Sequence, residues 1–107
     1  MKLYLSSKMT DLPDNNEPAF YTMEKLLQDL GINPARLSKK VKKKNPGWVD
    51  FMRVDIKGLM DCEAVVCFGD YGNSKGSMLE QVIAKSLEIP IYRYDEIANK
   101  LYEPHHG

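Results

Sequence analysis

The sequence has no excess of either charge, because 15 lysines and arginines balance 15 aspartates and glutamates over its 107 residues. A balanced chain lacks the positive surface that binds nucleic acid or acidic membranes non-specifically. No apolar run is long enough to cross a bilayer, and the start of the chain, MKLYLSSKM, lacks the long apolar segment of a secretion signal. We therefore expect a cytoplasmic protein with neither membrane nor nucleic acid as a partner.

Residues that bind metals are also scarce. The two cysteines, Cys62 and Cys67, stand in CEAVVC, which does not have the spacing of a metal site. Both histidines lie in the tail EPHHG, far from the cysteines along the chain. We expect buried, reduced thiols and no bound metal.

The residues that are present alternate between strand and helix patterns over a length that suits a single domain, 1–107. Strand patterns cover 2–6, 32–33, 64–69 and 89–94. Helix patterns cover 17–31, 34–44, 48–62, 75–88 and 95–101. This alternation predicts an α/β fold in which helices cover both faces of a parallel sheet. Ligands bind such sheets at the carboxyl ends of the strands, so we expect the loops after residues 5 and 68 to meet there.

The second of these loops, GDYGNSKGS, leads into a helix whose start resembles an anion-binding site. Ser74 is a good N-cap, and Gly76 and Ser77 then fall in the first turn, where backbone N–H groups have no helical partner. Lys75 adds positive charge. A phosphate or a sugar hydroxyl would suit this helix start, although an ordinary capped helix would have the same residues.

Glu80 lies one turn further along this helix. A helical wheel predicts a buried face of Leu79, Val82, Ile83 and Leu87, with Glu80 at its margin. No lysine or arginine lies three or four residues from Glu80. A half-buried carboxylate without an ion pair in its own helix is a candidate nucleophile or general acid/base.

Two aspartates are further candidates. Asp55 falls among Trp48, Phe51 and Leu59 on an otherwise apolar helix face, so it requires a partner or a function. Asp70 follows the strand pattern 64–69, at the edge where ligands bind. The alternatives are a buried Asp55 bonded to the backbone, and an Asp70 that only stabilises a turn.

Three segments together resemble the nucleoside 2-deoxyribosyltransferase-like superfamily: MKLYLSSKM, WVDFMRVDIKGLMDCEAVVCFGD and NSKGSMLEQVIAKSLEIPIY. The resemblance extends to about Tyr92 and is closest to a small branch from bacteria and their viruses. It implies a Rossmann-like or flavodoxin-like three-layer sandwich with a small parallel sheet of four to five strands. It also implies a homo-oligomer that needs neither metal nor organic cofactor, and that cleaves the N-glycosidic bond of (deoxy)nucleosides or their 5′-monophosphates.

The resemblance also implies roles for individual residues. Glu80 would attack the anomeric carbon, Tyr4 would support Glu80, and Asp55 and Asp70 would help hold the sugar or base. Because an acid that protonates the leaving base assists such a reaction, Asp55 and Asp70 are also the candidates for that acid. Ser74, Gly76 and Ser77 would bind the substrate or its phosphate. Ser6, Ser7 and Lys8 of the first loop are further candidates for this contact, from their position in the chain. That loop, SSKMT, departs from the Ala-Gly-Pro-like turn usual in the superfamily.

Two other functions are open from the sequence. A protein of the same fold would serve as a nucleotide sensor or sequestering protein if it bound nucleotides without turnover. Alternatively, the lysine-rich stretch 39–44 and Trp48 would contact a macromolecular partner, although a solvated helix face explains these lysines as well.

Overall fold

The computed structural model describes residues 2–27 and 31–95, and the backbone of 100–102. In these ranges the strands are β1 (Leu3–Ser6), β2 (Gly31–Ile32), β3 (Ala64–Cys67), β4 (Ile91–Asp95) and β5 (Lys100–Tyr102). The α-helices are α1 (Glu17–Leu26), α2 (Pro34–Leu37), α3 (Trp48–Met60) and α4 (Lys75–Ser86). None of the helices in the described ranges is both long enough and apolar enough to span a bilayer.

The strands form one sheet in the order β2-β1-β3-β4-β5. The first four are parallel, while β5 runs antiparallel to β4. The register of the central pair aligns Leu3 with Ala64 and Ser6 with Cys67. The predicted α/β sandwich with a small parallel sheet is confirmed. The strand order reverses between β1 and β3, which is where a sheet of this kind opens a crevice for a ligand.

Side chains of the central strands alternate between two cores, one on each face of the sheet. Leu3 and Leu5 of β1 pack with Phe20 of α1. Tyr4 of β1 packs on the other face with Leu59 of α3 and Ala84 of α4. All four residues of β1 and all four of β3 are buried. This double burial explains the continuous apolar run of residues 64–67 in the sequence.

The helix predicted over 34–44 is shorter than expected. Asn33 caps α2 as predicted, since its Oδ1 accepts a hydrogen bond from the Ala35 N–H at 2.9 Å. However, α2 ends at Leu37, a 3-10 turn follows over Ser38–Lys40, and Val41 is extended. Lysines of like charge at helical spacing repel one another, which disfavours continuing the helix over 42–44.

Two other helix boundaries were predicted wrongly. The helix that starts at residue 17 ends at Leu26, and Gly31, predicted as its stop, lies in β2. The terminal helix predicted over 95–101 is contradicted at both ends, because Asp95 belongs to β4 and Lys100 begins β5. Hydrogen bonding along the edge of β4 outweighs the local helix pattern there. The rest of these two predictions, at 28–30 and 96–99, lies outside the described residues.

Candidate active site

A cavity of about 380 Å³ opens beyond the carboxyl end of β1. Its walls come from the loop after β1, from α1, α3 and the start of α4, and from the segments that contain Pro34, Ser38 and Pro46. This volume is in the range typical of small-molecule sites. Six of the ten residues predicted for the site line the cavity: Ser7, Asp55, Ser74, Gly76, Ser77 and Glu80.

Glu80 lies at the centre of the buried face of α4. The side chain is only 4% exposed, and the other buried residues of the helix are Ser77 and Ala84. The predicted face was only partly correct: Leu79 and Ile83 are half-buried, but Val82 is 58% exposed and Leu87 50% exposed. A helical wheel orients α4 by its largest apolar residues, whereas the structure turns the small Ala84 and the polar Ser77 and Glu80 inward.

Both carboxylate oxygens of Glu80 accept hydrogen bonds from β1. The Tyr4 hydroxyl donates to Oε2, and the Ser6 hydroxyl, 2.8 Å away, donates to Oε1. Tyr4 and Ser6 are two residues apart on one strand, so they project from the same face of the sheet toward α4. Ser6 Oγ also lies 2.6 Å from Ser77 Oγ. The sheet thus fixes the orientation of the carboxylate.

The environment of Glu80 shifts its pKa toward neutral pH. Burial raises the pKa of Glu80 to about 7, although the hydrogen bonds from Tyr4 and Ser6 act in the opposite direction. The two donors favour the ionised form, because a carboxylate accepts both bonds. Burial and the nearby carboxylate also raise the pKa of Tyr4 well above its usual range. Tyr4 therefore remains a hydrogen-bond donor.

Asp55 is the second carboxyl group of the cavity and has a different environment. It is 6% exposed, on the buried face of α3 with Met52 and Leu59. Its Oδ1 has no hydrogen-bond partner among the described residues. Burial, and then the negative charge of Glu80, raise the pKa of Asp55 to about 8.

The two carboxyl groups are thus set up for different protonation states. Donors stabilise the charge on Glu80, whereas the charge on Asp55 is opposed both by burial and by Glu80. Near neutral pH this arrangement favours an ionised Glu80 beside a protonated Asp55. One group can then act as a nucleophile and the other as an acid.

The serines predicted to bind the substrate already make hydrogen bonds within the protein. Ser7 donates to the carbonyl of Phe68 at 2.6 Å, which ties the loop after β1 to the end of β3. Ser74 Oγ accepts from the Ser77 N–H at 3.0 Å, so Ser74 is the predicted N-cap of α4. Ser6 supports Glu80 and does not line the cavity. The two predicted loops meet, as expected for this edge of the sheet.

The position of Gly76 reflects the contact between α3 and α4. A Cβ atom at this position would lie 3.2 Å from Met52 Sδ and 3.7 Å from Trp48 Nε1. Gly76 therefore allows the start of α4 to approach α3 closely. Next to it, the Lys75 ammonium lies 4.2 Å from the centroid of the Trp48 ring.

Asp70 and Lys8 were also predicted for the site but do not line the cavity. Asp70 is exposed, and its carboxylate accepts a hydrogen bond of 2.7 Å from the Asn73 side-chain amide. Lys8 is partly exposed, and its backbone carbonyl accepts a bond from Asn16. The structure does not bring either side chain into the lining. Among the described residues, no group of three or more potential ligands could hold a metal ion.

Sequence comparison assigns the chain to a family. A family model described as a domain of unknown function, DUF4406, matches residues 1–93. The chain belongs to the DUF4406 family. No curated protein and no solved structure matches it. The match includes every candidate site residue of this DUF4406 protein and ends within β4, so that β5 lies beyond it.

Several lining residues of the DUF4406 cavity were not predicted from the sequence. Glu17 and Phe20 come from the first turns of α1, and Trp48 and Phe51 from the start of α3. The sequence places Trp48 and Phe51 on an apolar helix face and offers Trp48 as a contact for a macromolecular partner, but predicts neither as part of the site. The sequence Asp-Asn-Asn at 14–16 could have indicated the turn that leads into the α1 wall. All three residues have positive φ (51°, 53° and 60°). Asp and Asn tolerate this backbone conformation best among non-glycine residues.

Replacing Tyr4 with Phe should raise the pKa of Glu80 above its value of about 7. The hydroxyl stabilises the ionised carboxylate, so its loss favours the protonated form. Titration of the Glu80 side-chain carbon by NMR in protein labelled at glutamate would measure the change. Tyr21→Phe is the matched control, because Tyr21 lies in α1 against Arg36 and Lys39. An unchanged or lower Glu80 pKa in Tyr4→Phe would contradict the assigned hydrogen bond.

Proposed function

We propose that this DUF4406 protein cleaves, or transfers at, the N-glycosidic bond of a (deoxy)nucleoside or a nucleoside 5′-monophosphate, with Glu80 as the nucleophile. The observation that carries the proposal is a buried glutamate in a ligand-sized cavity, with both oxygens held by donors from the central strand. Its resemblance to the nucleoside 2-deoxyribosyltransferase-like superfamily agrees with this chemistry.

The reaction would proceed through a covalent intermediate. Glu80 attacks the anomeric carbon, the bond to the base breaks with its electron pair leaving on the base nitrogen, and a glycosyl ester forms on Glu80. Water or a second base then attacks the same carbon and releases Glu80. The hydrogen bonds from Tyr4 and Ser6 orient the carboxylate for attack and stabilise it when it leaves.

Asp55 is the group that would handle the proton. A neutral base leaves more easily if it receives a proton as the bond breaks. Asp55 lines the same cavity as Glu80 and has a pKa raised to about 8, so it holds a proton at neutral pH. In the second step the ionised Asp55 would take a proton from the attacking water.

The rest of the cavity suits a nucleoside. Trp48, Phe51 and Phe20 provide apolar and aromatic surface for a base. Ser74, Gly76 and Ser77 place the start of α4 at the cavity wall, where backbone N–H groups would favour a sugar hydroxyl or a phosphate. Neither metal nor organic cofactor is part of the proposal.

The assembly and the location of the protein are further proposals. We infer a homo-oligomer from the superfamily resemblance, with a neighbouring subunit close to the site. Analytical ultracentrifugation would test it, and a monomer at all concentrations would contradict it. We infer a cytoplasmic location, since Cys62 and Cys67 are buried and free, as expected in a reducing compartment.

The test is a panel of ribo- and deoxyribonucleosides and their 5′-monophosphates, with base release followed by chromatography. We expect release from at least one member, either into water or by exchange with an added second base. Saturable binding without release from any member would favour the alternative, a non-catalytic nucleotide-binding protein. If no member of the panel binds or releases its base, both the enzyme and the nucleotide-binding protein are contradicted. That result would favour a protein partner for Trp48 and the lysines at 39–44.

A further inference from the structure

In the described part of the chain, the ionisable side chains that line the cavity are all acidic. They are Glu17 from α1, Asp55 from α3 and Glu80 from α4. Within the ranges that the structure describes, no lysine or arginine lines the cavity. The nearby Lys75 is exposed and lies against the Trp48 ring. Ionised carboxylates in this lining would repel a negatively charged group of a ligand and attract a positively charged one.

One of these acids also lacks a partner. Asp55 Oδ1 is buried and accepts no hydrogen bond from any described residue, although the side chain lines the cavity. A buried acceptor without a partner is costly, and its cost is relieved when a bound ligand supplies a donor or a positive charge.

The remaining lining contains three aromatic rings, Phe20, Trp48 and Phe51. Aromatic faces attract cations, most strongly where water is excluded. The contact between Lys75 and Trp48 shows that one of these rings already accepts a positive charge. Acidic groups beside aromatic rings are the combination that suits a flat organic cation.

We propose that the substrate of this site is an N-glycoside whose base carries a positive charge and whose sugar carries no phosphate, held by Asp55 and Glu17 beside the aromatic residues of the cavity. This inference deepens the proposed function and rests on it for the reaction, but not for the binding.

Breaking the bond between the sugar and a positively charged base requires no added proton. When Glu80 attacks the anomeric carbon of a cationic glycoside, the electron pair of the C–N bond neutralises the base, which leaves uncharged. The glycosyl ester is then hydrolysed by water, which adds its hydroxyl to the sugar and releases a proton. Asp55 acts as a counter-ion before bond breaking and accepts that proton afterwards.

Binding of a cation should therefore displace the proton of Asp55. Among the residues that the structure describes, the titratable groups near this aspartate are Tyr4 on β1 and Glu80 on α4, and Glu17 on α1 lines the same cavity. None of them supplies positive charge, so the ligand is the group that favours ionised Asp55. The affinity for a cation should rise with pH from about 6 to about 9, because the pKa of Asp55 in the free protein is about 8.

The test compares 1-methylnicotinamide with 3-methylbenzamide, which have the same outline and differ in the positive charge on the ring. In NMR titrations of the full chain we expect the cation to bind at least tenfold more tightly. Calorimetry in two buffers of different ionisation enthalpy should detect proton release. Asp55→Asn should reduce the preference to twofold or less, while the exposed Glu63→Gln should preserve it. Equal binding of the two compounds, or binding of neither, would overturn the proposal.

A turnover assay separates this inference from the proposed function. Nicotinamide riboside, a cationic N-glycoside, should release its base at least tenfold faster than uridine. Base release only from neutral nucleosides or from monophosphates would overturn the inference of a cationic substrate. The proposed cleavage of N-glycosidic bonds would still be supported. Tight binding of the cation without base release from any compound would support a cation site and contradict the proposed reaction.

Discussion

Glu80→Gln should reduce base release by roughly 1,000-fold or more on the best substrate of the panel. The amide keeps the size of the side chain and can still accept a hydrogen bond from Tyr4 or Ser6, but it cannot attack the anomeric carbon. The loss should appear in kcat and in kcat/KM alike, because the interaction is made with the reacting carbon. Single-turnover and steady-state measurements of base release would provide both constants.

The fold should survive this change. Glu80→Gln removes a buried group that resists ionisation, so the variant should be at least as resistant to urea as the wild type at pH 8. Glu63→Gln serves as the matched control, since it makes the same chemical change at an exposed position and should keep full activity. A folded Glu80→Gln protein with wild-type turnover would contradict the role assigned to Glu80.

Asp55→Asn should stabilise the protein by about 2 kcal/mol or more at pH 9 and remove much of its dependence on pH. In the folded protein the pKa of Asp55 is about 8, whereas an unfolded chain has the ordinary value near 4. The folded state therefore holds a proton that the unfolded state has lost between these two values. Wild-type stability should fall as pH rises through this window and level off above about 8, where both states are ionised.

Urea unfolding between pH 5 and pH 9 would measure this effect as the difference between the two free energies of unfolding. Asp61→Asn is the matched control, because Asp61 follows α3 and is exposed. Asp55→Asn should gain stability and lose turnover together. This is common when burial of a functional group destabilises the folded protein. A profile for Asp55→Asn parallel to that of the wild type would show that Asp55 ionises as freely in the fold as in the unfolded chain.

Local sequence patterns predicted the parts of the fold that local interactions determine. Asn33 and Ser74 were recognised as N-caps because a short polar side chain before a helix can satisfy its first N–H groups. The run AVVC was recognised as a strand because both of its faces are buried. In a parallel sheet, the loops at the carboxyl ends of neighbouring strands lie close together. These elements therefore predicted that the two loops that form the site would meet.

Contacts between distant segments were less predictable. The hydrogen bond from Tyr4 to Glu80 joins residues 76 apart in sequence, and only the resemblance to a known superfamily suggested it. The inward face of α4 was only partly predicted because its polar residues are buried against hydroxyl groups of β1, which a pattern of apolar residues does not reveal. The unpartnered oxygen of Asp55 and the aromatic residues of the cavity likewise depend on how α1, α3 and α4 surround the end of β1.

Trapping of the glycosyl-enzyme would show directly whether Glu80 is the nucleophile. A nucleoside with fluorine at C2′ should form the ester and lose it slowly, because the fluorine destabilises the positive charge that develops on the sugar. Mass spectrometry should then show wild-type protein heavier by one fluorinated sugar, with the adduct on the α4 peptide that contains Glu80, and no adduct on Glu80→Gln. An adduct on another residue, or no adduct on the wild-type protein, would show that Glu80 is not the nucleophile.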